Sequence, residues 1–216
     1  ARLLIEKGCD FILMDDGFQS RRLATDYNLV VVDSRRGVGN GHVIPGGPLR
    51  APPQAQLRFA DAVLRTGTGD AADRMIRLAS RAGKPVLVAK AEPVKASGLK
   101  GKRVLAFAGI ADPDKFFDSL AFAGAKVVLT RTWPDHHFFA DDELSELMQT
   151  AEAGDLLPVT TEKDAMRLAH DSPVSQALLQ KCFVFKIEMR FDQPDAPTRM
   201  IEATVAKFKE RQLGLR

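Results

Sequence analysis

Residues 29–33 read LVVVD, an unbroken apolar run that ends on an aspartate. Similar short apolar or β-branched runs recur along the chain, and stretches with helical periodicity separate them. This alternation predicts βαβ units, and therefore an α/β fold with a mostly parallel sheet. The predicted strands are 11–15, 29–33, 62–66, 85–90, 103–108, 126–131, 157–160 and 183–189. The strands around residues 13 and 31 are apolar throughout, as expected for strands that are covered on both faces.

Capping residues mark the predicted helices. Asp112-Pro113 is typical of a helix start, and Gly124 of its end. Thr161 and Asp164 have the spacing of a capping box. Two more helices are predicted at 141–152, closed by Gly154, and at about 196–212, with an apolar stripe of Met200, Ile201, Val205 and Phe208.

The polar, basic stretch 91–103 predicts a boundary between two α/β lobes. Residues 1–92 form the first lobe, 93–182 a smaller one, and 183–216 a return strand with a final helix that packs on the first lobe. The stretches 85–92 and 183–191 are expected to pair as a two-stranded linker between the lobes.

The composition bears on the class of protein and on the compartment in which it works. The 216 residues carry a net charge of only +3, which does not indicate a nucleic-acid partner. The two cysteines favour a reducing compartment, and no apolar stretch reaches the roughly 20 residues that span a bilayer. A cytoplasmic globular protein is expected. The chain begins within a helical pattern and without Met, so we expect it to be a fragment.

The segment DFILMDDGFQSRRL, residues 10–23, ends an apolar run on Asp15 and Asp16. Two adjacent carboxylates are costly unless a cation lies between them. A strand that ends in Asp is typical of a Walker B motif, which holds Mg²⁺, although many α/β strands end in Asp at an ordinary loop. The Walker A pattern GxxxxGK[ST] does not occur in these 216 residues.

The segment DSRRGVGNGHVIPGGPLRAP, residues 33–52, is a long loop rich in glycine and proline. A loop of this length is uncommon in a compact domain unless it binds a ligand, although a turn-rich connection is the alternative. Glycines allow close backbone approach and arginines donate to phosphate in pairs. The predicted substrate- or phosphate-binding residues are Arg35, Arg36, Asn40, His42 and Arg50.

Two further segments carry candidate chemistry. In RTWPDHHFFADDEL, residues 131–144, Asp135 can orient His136 as an acid or base, or the histidines can cover an aromatic cluster. Adjacent histidines are not a standard zinc spacing. In VTTEKDAMRL, residues 159–168, Lys163 stands at a helix start, where a cation is disfavoured unless it faces an anion. Lys163 is therefore a candidate for cofactor binding, although the capping box is sufficient to explain Thr161 and Asp164, and a purely structural role for the segment is the alternative.

Five motifs together resemble the tetraacyldisaccharide 4'-kinases, the lipid A 4'-kinases of Gram-negative bacteria. They are DDGFQSRRL, VVVDSRRGVGNGHVIPGGPLR, FAGIADPDKFF, PDHHFF and VTTEKDAMRL, in the family's order. The resemblance implies a P-loop-type doubly wound sheet, with residues 1–92 as part of the nucleotide-binding lobe and a cleft beside the smaller lobe. It implies transfer of the ATP γ-phosphate to the 4'-hydroxyl of an acylated glucosamine disaccharide 1-phosphate, with Mg²⁺.

The resemblance also implies residue roles. Asp15 and Asp16 match the family's acidic pair and would hold Mg²⁺, Arg50 would meet phosphate or substrate, and His136 matches the family's Asp-His motif and would support an upstream Asp that acts as the base. Ser20 and Ala51 depart from the family's usual His and Glu. Ala51 can neither bind a metal nor pair with Arg50.

The P-loop and the base would lie in a segment outside this chain, which would also contact the inner-membrane surface from the cytoplasmic side. We therefore expect these residues alone to lack kinase activity. Two alternatives stay open. One is a non-catalytic sugar-phosphate or nucleotide-binding module, and the other is a fragment of a partitioning-type ATPase.

Overall fold

The computed structural model describes residues 1–20, 22–94, 96–169 and 172–214, which form two compact units. One unit consists of Ala1–Ala91 with Met189–Arg216, and the other of Glu92–Glu188. The strands are β1 (Leu29–Asp33), β2 (Ala62–Thr66), β3 (Val86–Val94), β4 (Arg103–Ala108), β5 (Lys126–Thr132), β6 (Leu157–Thr161) and β7 (Phe183–Phe191). The helices are α1 (Arg2–Glu6), α2 (Pro53–Phe59), α3 (Asp73–Arg81), α4 (Pro113–Phe122), α5 (Asp141–Gly154), α6 (Glu162–Leu168), α7 (Pro173–Lys181) and α8 (Ala196–Gln212).

The first unit is built on parallel pairing of β1 with β2 and of β2 with β3. Helix α3 lays the buried Met75 and Ala79 against this sheet, where they join Val32 and Val63 in one hydrophobic core. Asp73 in the first turn of α3 and Arg81 in its last turn both complement the helix dipole. The chain therefore forms an α/β layer whose strands end at Asp33 and Thr66 on the same edge.

Helix α8 is tied to the first unit by ion pairs. Arg211 donates from Nε and Nη2 to the two carboxylate oxygens of Asp26, at 2.8 and 2.9 Å. Lys207 pairs with Asp61, whose other oxygen accepts the Asn28 N–H at 2.8 Å. These contacts fix the final helix beside the start of β1.

The second unit has the strand order β5-β4-β6-β7, and all three strand pairs are parallel. In the central strand β4, alternate side chains enter different cores. Val104 and Ala106 pack with Phe116 of α4 on one face, while Leu105 and Phe107 join the core on the other. A core on each face makes this a three-layer α/β arrangement.

Seven of the eight predicted strands form, but the predicted strand at 11–15 is wrong. Residues 11–14 have no regular structure, and Asp15 and Asp16 lie in a turn. Phe11 is 48% exposed and Leu13 is 89% exposed. An apolar run becomes a strand only where a neighbour accepts its backbone hydrogen bonds, and no strand pairing to residues 11–15 is present in the described part of the chain.

The predicted helices form, with two differences. Helix α5 includes Gly154, and Asp155 rather than a glycine adopts the left-handed C-cap conformation, with φ of 48°. The stripe predicted to pack α8 on the first lobe is largely exposed, since Ile201, Val205 and Phe208 keep 39–53% of their surface accessible. Ion pairs from Arg211 to Asp26 and from Lys207 to Asp61 connect the helix to the rest of the unit. Within the described ranges, no helix combines the length and apolar character that a membrane span requires.

Candidate functional site

The Gly/Pro loop leaves β1 through a turn that Asp33 organises. The Oδ1 atom of Asp33 accepts the backbone N–H groups of Arg35, at 2.7 Å, and Arg36, at 3.2 Å. This Asx-type turn leaves the two arginine side chains exposed on the outside of the loop. Their predicted role in binding an anion stays a prediction.

Internal hydrogen bonds and a β-bridge order the remainder of the loop. Asn40 donates from Nδ2 to the Gly46 carbonyl at 2.8 Å and accepts the His42 N–H at 3.1 Å. A bridge between Val43 and Leu49 closes the loop. The Asn40 side chain therefore holds the loop together in this structure, while the His42 side chain is exposed.

A glycine makes the close packing of this loop possible. Gly37 has φ of 56°, and a Cβ atom there would lie 2.1 Å from the carbonyl oxygen of Ala71. No side chain fits at this distance, so the loop packs against the backbone just before α3 only because residue 37 is a glycine. The loop's length therefore does not make it a loose connection.

The loop ends at Arg50, which contacts the acidic pair. Its Nη1 and Nη2 atoms donate to Oδ1 and Oδ2 of Asp16, at 2.9 and 2.7 Å. Asp16 has φ of 50°, a left-handed conformation that is uncommon outside glycine. The hydrogen bond from Arg50 is the main reason that the pKa of Asp16 lies below its ordinary value, and the same pair raises the pKa of Arg50. Two motifs predicted separately thus meet in one bidentate ion pair.

Asp15 and Asp16 are a partial match to a magnesium site. Both side chains are exposed carboxylates, the ligand type that Mg²⁺ prefers. In the ranges that the structure describes, no group of three or more His, Cys, Asp or Glu side chains is placed to hold a metal. Mg²⁺ is commonly held by one or two carboxylates, with water and substrate phosphates as further ligands. These two residues fit that pattern if Asp16 gives up its hydrogen bonds to Arg50 and binds the ion instead.

In the second unit, the two histidines that follow β5 make different contacts. His137 belongs to an aromatic cluster, stacked on Trp133 at 5.9 Å between ring centroids and edge-on to Phe139. Its Nε2 lies 2.9 Å from Oε2 of Glu143, which also accepts the Ala140 N–H at 2.9 Å. The bond to His137 is the main cause that lowers the pKa of Glu143 to about 2. His137 therefore has the aromatic-covering role that was left open for both histidines.

His136 points elsewhere and is 75% exposed. It has φ of 64°, and its Nε2 lies 3.6 Å from Oδ2 of Asp135. Lys163 donates from Nζ to Oδ1 of Asp135 at 2.9 Å, and this bond is the largest cause of a lowered pKa for Asp135. Asp135, His136 and Lys163 were predicted from two separate segments, and the structure brings them together. The anion that Lys163 faces in this structure is Asp135.

A buried network below this cluster was not predicted. Asp164 is fully buried, and its carboxylate accepts the Gly109 N–H at 3.2 Å, the Thr161 hydroxyl at 2.8 Å and Arg167 Nη1 at 3.0 Å. Thr161 also caps α6, as predicted, by accepting the Asp164 N–H at 3.1 Å. The i, i+3 spacing of Asp164 and Arg167 is the signal in the sequence that indicates this pair.

The network lies where ligands commonly bind in open α/β sheets. Gly109 follows β4, from which the chain proceeds to β5, whereas Thr161 ends β6, from which it proceeds to β7 on the other side. Adjacent strands whose connections diverge in this way form a crevice at their carboxyl ends. Asp164 and Arg167 contact Gly109 at the end of β4, and Arg167 also contacts His136.

The chain is similar in sequence to one family of known proteins. The sequence pattern of the family LpxK, tetraacyldisaccharide-1-P 4'-kinase, matches residues 1–206. Tetraacyldisaccharide 4'-kinase from Mesorhizobium japonicum is 53% identical over 214 residues, and that from Chelativorans sp. is 51% identical over 213. Each alignment covers 99% of this chain and 62% of the relative, so the chain spans about three fifths of the length of these curated relatives.

The fold also matches a solved structure. LpxK from Aquifex aeolicus, crystallised in complex with ATP, superposes with a TM-score of 0.63 at 22% identity, over 94% of this chain and 60% of that one. At this identity the likeness shows the fold, which is α/β. With the family pattern matched over almost all of its length, the chain belongs to the tetraacyldisaccharide-1-P 4'-kinase family.

Proposed function

We propose that this chain forms part of a kinase that transfers the γ-phosphate of ATP to the 4'-hydroxyl of an acylated glucosamine disaccharide 1-phosphate, a step of lipid A biosynthesis. Family membership and the relatives' names support the reaction. One structural observation supports the assignment of this reaction to particular residues. It is the Asp16–Arg50 ion pair, which joins the acidic motif to the end of the Gly/Pro loop.

Asp15 and Asp16 would hold Mg²⁺ in this proposal, and the ion would supply positive charge against the phosphates of ATP. Arg50 then turns its two donors to a phosphate oxygen, because a guanidinium matches phosphate as well as carboxylate. The exposed Arg35 and Arg36 supply further positive charge on the same loop, and the exposed His42 side chain lies on that loop too. Phosphoryl transfer requires mainly positioning and charge stabilisation, and these residues provide both.

The phosphate-cradling P-loop and the base for the sugar hydroxyl belong, in this proposal, to a segment outside these 216 residues. The chain contains no Walker A pattern and covers 62% of its relatives' length. Residues 1–92 would then complete a doubly wound P-loop lobe with that segment, and the same segment would contact the cytoplasmic face of the inner membrane. Asp135, His136 and Lys163 form a separate cluster within the smaller lobe, residues 93–182.

The test is a transfer assay with radiolabelled ATP and acylated disaccharide 1-phosphate, with product separated from substrate by thin-layer chromatography. The kinase that contains these residues together with the P-loop segment should transfer phosphate only when Mg²⁺ is present, while residues 1–216 alone should not. A folded protein with the P-loop segment that binds ATP and the disaccharide but transfers nothing would support the non-catalytic binding module instead. Robust transfer by residues 1–216 alone would show that the cradle and base lie within them.

A further inference from the structure

Arg167 joins the buried network to the exposed histidine. Its Nη1 donates to the Gly109 carbonyl at 2.8 Å and to Oδ1 of the fully buried Asp164 at 3.0 Å. Its Nη2 lies 3.2 Å from Nδ1 of His136, and the side chain is only 23% exposed. With Nη1 fixed by two buried acceptors, the planar guanidinium has little freedom, and its second nitrogen is aimed at the imidazole ring.

The direction of this last hydrogen bond follows from the chemistry of the two groups. A guanidinium carries five N–H donors, has no acceptor and keeps its charge in proteins. Nδ1 of His136 must therefore be the acceptor, and the proton of the neutral ring is on Nε2. The backbone of His136 has a left-handed conformation here, with φ of 64°.

The Nε2–H group remains available to a ligand. The nearest carboxylate oxygen, Oδ2 of Asp135, is 3.6 Å from Nε2, beyond hydrogen-bonding distance, and the other Asp135 oxygen accepts from Lys163 at 2.9 Å. Asp135, with Lys163 behind it, and Arg167 are thus the charged groups that face the ring within the described part of this unit. His136 itself is 75% exposed.

We propose that Arg167 is a positioning residue that holds His136 in the Nε2–H tautomer, so that His136 acts as a hydrogen-bond donor to an anionic oxygen. Because the lone pair on Nδ1 is occupied and Nε2 carries the proton, His136 does not take the proton of the attacking hydroxyl. The acceptor is a carboxylate or a phosphate oxygen of the assembled kinase site, and in this respect the inference rests on the proposed function.

The tautomer itself can be measured in residues 1–216 without any kinase activity. In protein with ¹⁵N-labelled histidine, long-range ¹H–¹⁵N spectra distinguish a protonated from an unprotonated ring nitrogen. At a pH where the ring is neutral, we expect His136 to show an unprotonated Nδ1 and a protonated Nε2. His136→Gln assigns the signals. A protonated Nδ1 in the unmodified chain would overturn the proposal.

Arg167→Lys is the decisive variant. Arg167→Gln would leave the buried carboxylate of Asp164 without its cation and would endanger folding. Lys keeps the charge, but its single ammonium group cannot contact Asp164 and His136 with two separate nitrogen atoms as the guanidinium does. We expect a mixture of tautomers at His136 in Arg167→Lys, so that its two nitrogen shifts move toward each other. His137 is the internal control, because its Nε2 bonds to Glu143 and should not respond. Unchanged His136 shifts in a folded Arg167→Lys protein would show that Arg167 does not select the tautomer.

The kinetic arm uses the kinase with its P-loop segment. Arg167→Lys should lower kcat by about 10- to 100-fold, as for partners that orient metal-ligating histidines, while KM for ATP stays within about two-fold. Arg77→Lys, at a 66% exposed arginine of α3, should leave both constants unchanged. An Arg167→Lys enzyme with unaltered kcat would overturn the positioning role. An inactive parent enzyme with the expected tautomer would instead refute the proposed function and leave the tautomer assignment standing.

Discussion

Arg50 and Asp16, which lie 34 positions apart, form a bidentate ion pair with nitrogen–oxygen distances of 2.9 and 2.7 Å. Both side chains are largely exposed, at 53% and 71%. An exposed ion pair contributes little to stability, because water screens the charges. We propose a functional role for this pair instead, since a carboxylate can bind a metal ion and a guanidinium can bind phosphate.

The first prediction concerns the carboxylate of this pair. In the kinase with its P-loop segment, Asp16→Asn should lower turnover by about two orders of magnitude or more, because the loss of charge stabilisation in a phosphoryl-transfer site has effects of this size. Turnover is measured over a range of Mg²⁺ concentrations, with circular dichroism as the check on folding. Asp70→Asn, at an exposed carboxylate of the same unit, is the matched control. Near-normal turnover of a folded Asp16→Asn enzyme would remove Asp16 from the metal site.

The second prediction concerns its partner. Arg50→Ala should weaken transition-state binding by about 1.5–3 kcal/mol, the usual contribution of a hydrogen bond to a charged group. Arg50→Lys should lose less, because Lys keeps the charge and gives up only the paired donors. The measurement is kcat/KM for both substrates. If both variants match the parent enzyme, the loop is a turn-rich connection and Arg50 has no role in phosphate binding.

The third prediction follows from the same pair and needs only residues 1–216. Arg50 lowers the pKa of Asp16, chiefly through its hydrogen bond. In Arg50→Ala, NMR titration of the Asp16 carboxyl carbon should therefore give a pKa that is higher than in the parent chain and closer to the ordinary aspartate value. Saturating Mg²⁺ should perturb the Asp16 signal more in Arg50→Ala than in the parent chain, since the ion no longer competes with the guanidinium. An unaltered titration would mean that the pair does not persist in solution.

Most of the fold could be predicted from the sequence, because strands of a parallel sheet are buried on both faces and are therefore short apolar runs, as in β1 and β4. The same rule was misleading at 11–15, where the apolar run has no strand to pair with. Local capping was predictable at Thr161, because a cap depends on residues three positions apart. Asp135 and Lys163 were predicted only as separate candidates, since their contact spans 28 positions and depends on the placement of β5 and β6 on either side of β4. The spacing of Arg167 and Asp164 was visible in the sequence, but the contacts of Arg167 with the Gly109 carbonyl and with His136 span 58 and 31 positions and no local pattern reveals them.

The fourth prediction concerns the pH dependence of the second unit. Glu143 has a pKa lowered from 4.5 to about 2, chiefly by its hydrogen bond to His137. A lowered carboxylate pKa stabilises the folded state above the unfolded value, and this contribution is lost as the pH falls from about 4.5 toward 2. Glu143→Gln should therefore cost about 1 kcal/mol at pH 7, as for other helix N-terminal caps, and the difference from the parent chain should shrink across that window. Urea denaturation at several pH values measures it. Glu146→Gln, at a 75% exposed side chain of the same helix, is the matched control for replacing a carboxylate by an amide.

The last prediction tests the packing that supports the histidine motif. Phe107 is fully buried in β4, and Trp133 and Phe139 meet its ring edge-on, with centroids 6.4 and 6.3 Å away. Phe107→Ala removes the ring on which both neighbours rest, and the resulting cavity should cost about 3–5 kcal/mol. Trp133 is the single tryptophan of the chain, so its fluorescence during urea denaturation reports unfolding of this unit alone. Phe122→Ala, at a phenylalanine that is 87% exposed, should change stability by no more than about 0.5 kcal/mol. If the two substitutions cost the same, Phe107 is not the packing centre beneath Trp133, and the turn that carries Asp135 and His136 is held by its polar contacts instead.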